Sequence, residues 1–120
     1  MAYELAIRGW AVCLPAYGHA VPFDLVAVRE GVTRLVQVKS AMCECRPGTW
    51  SFTMRKGRSG KNITKCYKSG DFDVAILFVG QLREFFILPF SVVSAITSLQ
   101  VRAGGRGRYW KYRDRWDLMG

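Results

Sequence analysis

Three polar residues stand where a sheet interior expects apolar ones. The stretch 22–41, PFDLVAVREGVTRLVQVKSA, holds two strand-like apolar runs, yet Asp24 sits in the first, and Gln37 and Lys39 lie two residues apart in the second. Carboxylates and ammonium groups are costly to bury unless they are paired or put to use. If residues 24–29 pair with 34–39 across a four-residue turn at 30–33, Asp24 stands opposite Lys39, with Cβ atoms on the order of 5 Å apart. Gln37 is then the diagonal neighbour of Asp24, about 7–8 Å away on the same face, and Val36 and Val38 point to the other. One chemistry for such a group is a structural salt bridge between Asp24 and Lys39. The other is metal-dependent attack on a phosphodiester. A carboxylate and a nearby backbone carbonyl suit a hard cation such as Mg²⁺ or Mn²⁺. An amine beside that cation can orient a water and stabilise charge on the attacked phosphate.

These residues need a sheet to hold them. Residues 2–9 read as the end of a helix closed by Gly9, followed by the strand WAVCLP and a loop containing His19. After the hairpin, WSFTM is a short extended piece, RKGRSGKN a mobile basic loop, and ITKCYKSG one or two helical turns. FDVAILFV and EFFILPF are strong strands, FSVVSAITSL reads as a helix, and YWKYRDRWDLM as a short terminal helix anchored by Trp110 and Trp116. Strands interleaved with helices indicate an α/β domain around a central sheet. The 120 residues suit one domain.

With half its residues hydrophobic, the chain is not disordered throughout. No apolar run is long enough to span a membrane and no signal peptide is evident, which leads to the expectation of a soluble, cytoplasmic protein. The formal charge is +9, and its basic residues concentrate in 42–68 and 101–120, where Glu44, Asp114 and Asp117 are the only acids. Such clusters are the footprint of a polyanion partner, usually nucleic acid. Arg55, Lys56, Arg58, Lys61 and Lys65 in the first segment, with Arg106, Arg108 and Lys111 in the second, are the candidate DNA-contacting residues. Among the four cysteines, Cys43, Cys45 and Cys66 match no common zinc spacing, and Cys13 reads as a small core residue.

The pattern PFDLVAV…LVQVKSA, followed by YKSGDFDVAILFV…REFFILPFSVV and the terminal YRDRW, resembles the PD-(D/E)XK nuclease superfamily. The likeness is to the intron-encoded, homing-endonuclease branch, in which glutamine replaces the second acid. It covers most of the chain and implies a restriction-endonuclease-like α/β core, a central mixed sheet flanked by helices, over residues 1–120. It also implies Mg²⁺- or Mn²⁺-dependent cleavage of double-stranded DNA. Carried over by position, Asp24 is the metal-binding aspartate, Gln37 the replacement for the acid and Lys39 the catalytic lysine, with the Val38 carbonyl as a further metal ligand. The family's glutamate on the first helix would fall ahead of Met1, which makes that helix a shortened one and leaves Glu4 as its nearest acid. In the same family Asp71 and Asp73 belong to the motif entering the next strand, where they read as turn and strand-start residues. Tyr67 reads as a packing residue. Two rival functions share the core: a Holliday-junction resolvase, and a DNA-binding module without catalysis. Cutting two strands needs two sites, so a homodimer or homotetramer is expected.

Overall fold

The turn after Arg29 sets the geometry of the whole sheet. Glu30 and Gly31 both take positive φ, 49° and 81°, the pairing that a two-residue hairpin turn matched to strand twist requires. In the computed structural model, which describes residues 1–16, 21–58, 61–105 and 107–120, this turn joins β2 (Leu25–Arg29) to β3 (Val32–Ala41). Arg29 faces Val32 and Leu25 faces Val36. The expected four-residue turn is therefore replaced by a tighter one, and the register moves by two residues. An even shift keeps every side chain on its face and changes only which residues stand opposite.

The central sheet has the order β1-β2-β3-β7-β8. Its outer members are β1 (Ala11–Cys13), β7 (Val74–Val79) and β8 (Glu84–Pro89). β3 and β7 run parallel and the other pairs antiparallel, so the sheet is mixed, as the sequence led one to expect. β7 is buried along almost its whole length, which is why VAILFV carries no polar residue.

Period-2 alternation separates two cores. Val36, Val74, Ile76 and Ile87 face one side, under Leu5 of helix α1 (Ala2–Ile7) and Met119. Ala75, Leu77, Phe86 and Leu88 face the other, under Trp50, Phe52, Leu99 and Val101. That second cover is chiefly a two-stranded ribbon, β4 (Thr49–Thr53) with β9 (Ser98–Arg102), joined by the short α2 (Phe90–Val93).

Three stretches differ from their sequence reading. The helix expected over FSVVSAITSL stops at Val93, because SLQVR alternates exposed and buried positions and pairs with β4 instead. RKGR and KNITKC form a hairpin, β5 (Arg55–Arg58) with β6 (Lys61–Cys66); β-branched Ile63 and Thr64 favour extension over the expected helical turn. The terminal segment forms two 3₁₀ turns, Trp110–Tyr112 and Trp116–Met119, interrupted by an isolated bridge of Arg113 to Phe86 and by Asp114 at φ 54°. Trp110 packs edge-on to Phe86 and Trp116 lies against Phe85, so the tail is anchored as expected. Between the turns, hydrogen bonding to Arg115 holds the Asp117 carboxyl below its usual range and raises the guanidinium in return. Cys13 is exposed, because β1 is an edge strand with only its middle residue half-buried. His19 and Arg106 lie outside the described residues.

Candidate active site

β2 begins one residue after Asp24, so Asp24 sits where the strand has just started and β3 runs on alone. Its N–H donates to the Val36 carbonyl at 2.8 Å. Beyond that point the side chain takes over the ladder. Asp24 Oδ2 accepts the Val38 N–H at 2.7 Å and Gln37 Nε2 at 2.9 Å. The Asp24 residue is exposed, while Gln37 is only 8% exposed. The register that ends at Leu25 facing Val36 brings Asp24 to Gln37 rather than to Lys39, and the two side chains are hydrogen-bonded. Lys39 is the diagonal neighbour.

No ion pair joins Asp24 to Lys39 among the described residues. The salt-bridge alternative is therefore not met: the Asp24 carboxylate is taken by the Gln37 amide and the Val38 N–H. Lys39 Nζ lies 5.6 Å from the centroid of the Tyr67 ring, within the range in which a ring face attracts a cation. Tyr67 is itself buried and packed edge-on against Phe72 at 4.8 Å. Tyr67 is a packing residue, as its sequence context implies; its placement beneath Lys39 has no signal in the sequence, since 28 positions separate the two.

Residues of this corner carry oxygen atoms suited to a hard cation, with the Asp24 carboxylate and the Val38 carbonyl both touched by Gln37 Nε2. Asp24 Oδ1 has no protein partner among the described residues, and Gln37, donating through Nε2, leaves its Oε1 free. Along β3, Val36 and Val38 hydrogen-bond toward β2, while Leu35 exchanges bonds with Asp73 on the β7 side. The Val38 carbonyl therefore points to the Asp24 side, past the first residue of β2, where its contact is the long 3.4 Å approach of Gln37 Nε2. Carboxylate, amide and carbonyl oxygens form the donor type that Mg²⁺ and Mn²⁺ prefer, with remaining positions left for water and phosphate. Among the described residues, no three His, Cys, Asp or Glu cluster as a metal site.

Glu4 stands apart. Helix α1 covers the face opposite Gln37 and Lys39, and Arg8 Nη1 holds Glu4 Oε2 at 2.6 Å while stacking over Trp116. Glu4 nevertheless shares a cavity of about 420 Å³ with Val38 and Ser40, so one backbone position of β3 separates it from the Asp24 corner. Asp71 and Asp73 are turn and strand-start residues as read: Asp71 Oδ2 accepts the Lys68 N–H at 2.7 Å, and Asp73 Oδ2 the Leu35 N–H at 2.8 Å.

The candidate DNA-contacting residues occupy two surfaces. Arg55, Lys56, Arg58, Lys61 and Lys65 lie on β5 and β6, whose register sets Lys56 against Lys65 and Arg58 against Lys61. Arg108 and Lys111 lie exposed on the terminal segment.

With this mixed sheet in place, a family model, PD-(D/E)XK endonuclease, matches residues 1–119. The chain belongs to the PD-(D/E)XK endonuclease family. Its fold is also that of a solved bacterial homing endonuclease, I-Ssp6803I, with a TM-score of 0.84 at 27% identity, covering 98% of this chain and 83% of that one. No curated protein matches the chain. The chain is thus a nuclease by family. Among its described residues, no helix is long and apolar enough to cross a membrane.

Proposed function

We propose that this PD-(D/E)XK protein is a divalent-metal-dependent endonuclease that hydrolyses phosphodiesters of double-stranded DNA. The observation that carries the reading is the sharing of Asp24 Oδ2 by Gln37 and Val38, with Lys39 on the same face. Asp24, the Val38 carbonyl and Gln37 Oε1 would hold Mg²⁺ or Mn²⁺, with Glu4 as an outlying carboxylate. Such an ion supplies Lewis-acid polarisation of the phosphate and a water of lowered pKa.

The protein's own part is positional. Two hydrogen bonds fix the Asp24 rotamer, so its remaining oxygen needs no reorganisation at the moment of reaction. Lys39, without a carboxylate partner among the described residues and set over Tyr67, can place its ammonium beside a phosphate oxygen and stabilise the charge that develops there. The hairpin β5–β6 supports DNA as the partner. The backbone register of β5 and β6 sets basic residues at facing positions, Lys56 at Lys65 and Arg58 at Lys61, a concentration of positive charge that favours a polyanion. Cutting both strands calls for two such sites, so the active form is a homodimer or homotetramer.

The test is incubation of pure protein with supercoiled plasmid, linear duplex and a four-way junction, with and without Mg²⁺ or Mn²⁺. Metal-dependent cutting of plasmid and duplex is expected. Cutting confined to the junction would make the protein a resolvase, and binding without cutting under any metal would make it a DNA-binding module.

A further inference from the structure

We infer that the outward face of the β4–β9 ribbon reads base edges in the DNA major groove and prefers guanine there. The inference rests on the DNA reading above and names the surface that would select sequence. The ribbon buries Trp50, Phe52, Leu99 and Val101 against the sheet. Alternation sends Ser51, Thr53, Ser98, Gln100 and Arg102 outward, all exposed. None of the five is apolar or acidic. Ser51 stands opposite Gln100, and Thr53 opposite Ser98.

Gln100 is oriented. Arg46 Nη2 donates to Gln100 Oε1 at 2.8 Å, and a guanidinium has only donors to offer. The amide oxygen is therefore turned to Arg46 and the Nε2 group turned away. Arg46, Gln100 Nε2 and Arg102 together present donors. Glu44, the nearest acid in sequence, spends its carboxylate on the Gly48 N–H. Alongside β9 a cavity of about 490 Å³ runs from Ser98, Gln100 and Arg102 to Arg108 and Tyr109, with no acidic residue among the described residues of its lining.

A donor-rich surface matches acceptors, and in the major groove guanine offers two, N7 and O6. The groove admits a two-stranded ribbon, and five residues of strand extend about 17 Å. The ribbon covers the same sheet face onto which Gln37 and Lys39 project. Only Met54 separates β4 from β5, and β6 leads directly to Tyr67 beneath Lys39.

The experiment exposes the parent protein, Gln100→Ala and Gln100→Glu to a randomised duplex library and sequences the bound fraction, with thermal melts of all three. The parent should enrich guanine at fixed positions. Gln100→Ala should lose roughly tenfold in preference at one of them, with melting unchanged at this exposed site. Gln100→Glu, which replaces a donor by an acceptor, should shift that position toward cytosine, whose N4 amine donates. Uniform weakening on every sequence, or variants with the parent's preferences, would overturn base reading by the ribbon. A parent that binds no duplex at any salt would overturn the DNA reading itself and this inference with it.

Discussion

Asp24 and Asp73 occupy matching places on either side of β3. Each precedes a strand, each donates its N–H to a β3 carbonyl at 2.8 Å, and each accepts a β3 N–H on Oδ2, at 2.7 and 2.8 Å. Their surroundings differ. Asp73 bonds Leu35 and lies beside apolar Val74, so its carboxylate does nothing but finish a ladder. Asp24 is two residues further along β3, where Gln37 and Lys39 share its face and the Val38 carbonyl has outrun β2. The same residue in the same backbone role is a candidate site only where the neighbouring strand ends, and in the proposed reading that is what separates Asp24 from Asp73.

Substitutions at four positions press on that difference. Lys39→Ala should produce the largest effect, a fall in the cleavage rate of about 100–1000-fold, while duplex affinity in a filter or anisotropy assay changes little. Equal rates would reduce the Asp24 corner to another ladder end, like Asp73. Next, Asp24→Asn should weaken Mg²⁺ or Mn²⁺ response about 10–100-fold, measured by metal titration of cleavage and of the melting temperature. Asp73→Asn serves as its twin and should leave the metal response at the parent value. A matching loss in both would place the metal requirement elsewhere. Asp73→Ala, which leaves the Leu35 N–H without its acceptor, should cost about 1–2 kcal/mol of stability in urea unfolding and leave the rate per folded molecule intact. The smallest effect belongs to Tyr67. Tyr67→Phe keeps a ring under Lys39 and should cleave like the parent; Tyr67→Leu removes it, and a contact of about 0.5–1 kcal/mol translates into a few-fold loss of rate. Parity between Phe and Leu would separate the ring from the function of Lys39.

Much of this corner is legible in the sequence because side-chain period depends on parity alone. Asp24, Gln37 and Lys39 fall on one face under either register, so their convergence survived a turn that was read two residues too long. Their pairing did not survive, because Glu30 adopts a positive φ that its residue type does not announce. The strands of the sheet were visible as apolar runs. The ribbon was less so: SLQVR alternates over only five residues and follows a stretch with helical spacing. The β5–β6 hairpin was hidden by glycine and charge, which signal a loop on composition while the backbone still pairs. Contacts such as Lys39 over Tyr67 depend on how the β5–β6 excursion returns to the sheet, and local spacing carries no record of that.

The hairpin that holds the site is also tied to residues made much later. Arg29 Nη2 donates to the Gly120 carbonyl at 2.9 Å, and Arg34 Nε to that of Met119 at 2.7 Å; Met119 is fully buried over the back of the sheet. During synthesis at about 5–20 residues per second, the hairpin can close within microseconds. Its rear face then waits on the order of 4–17 seconds for the segment that covers it. The hairpin corner that carries Asp24, Gln37 and Lys39 is drawn early on the ribosome, but it gains a solid backing only once Met119 and Gly120 have emerged. Covering of the hairpin's apolar back is therefore a late event, and a nascent chain halted short of residue 116 should present that open back to any chaperone at the exit.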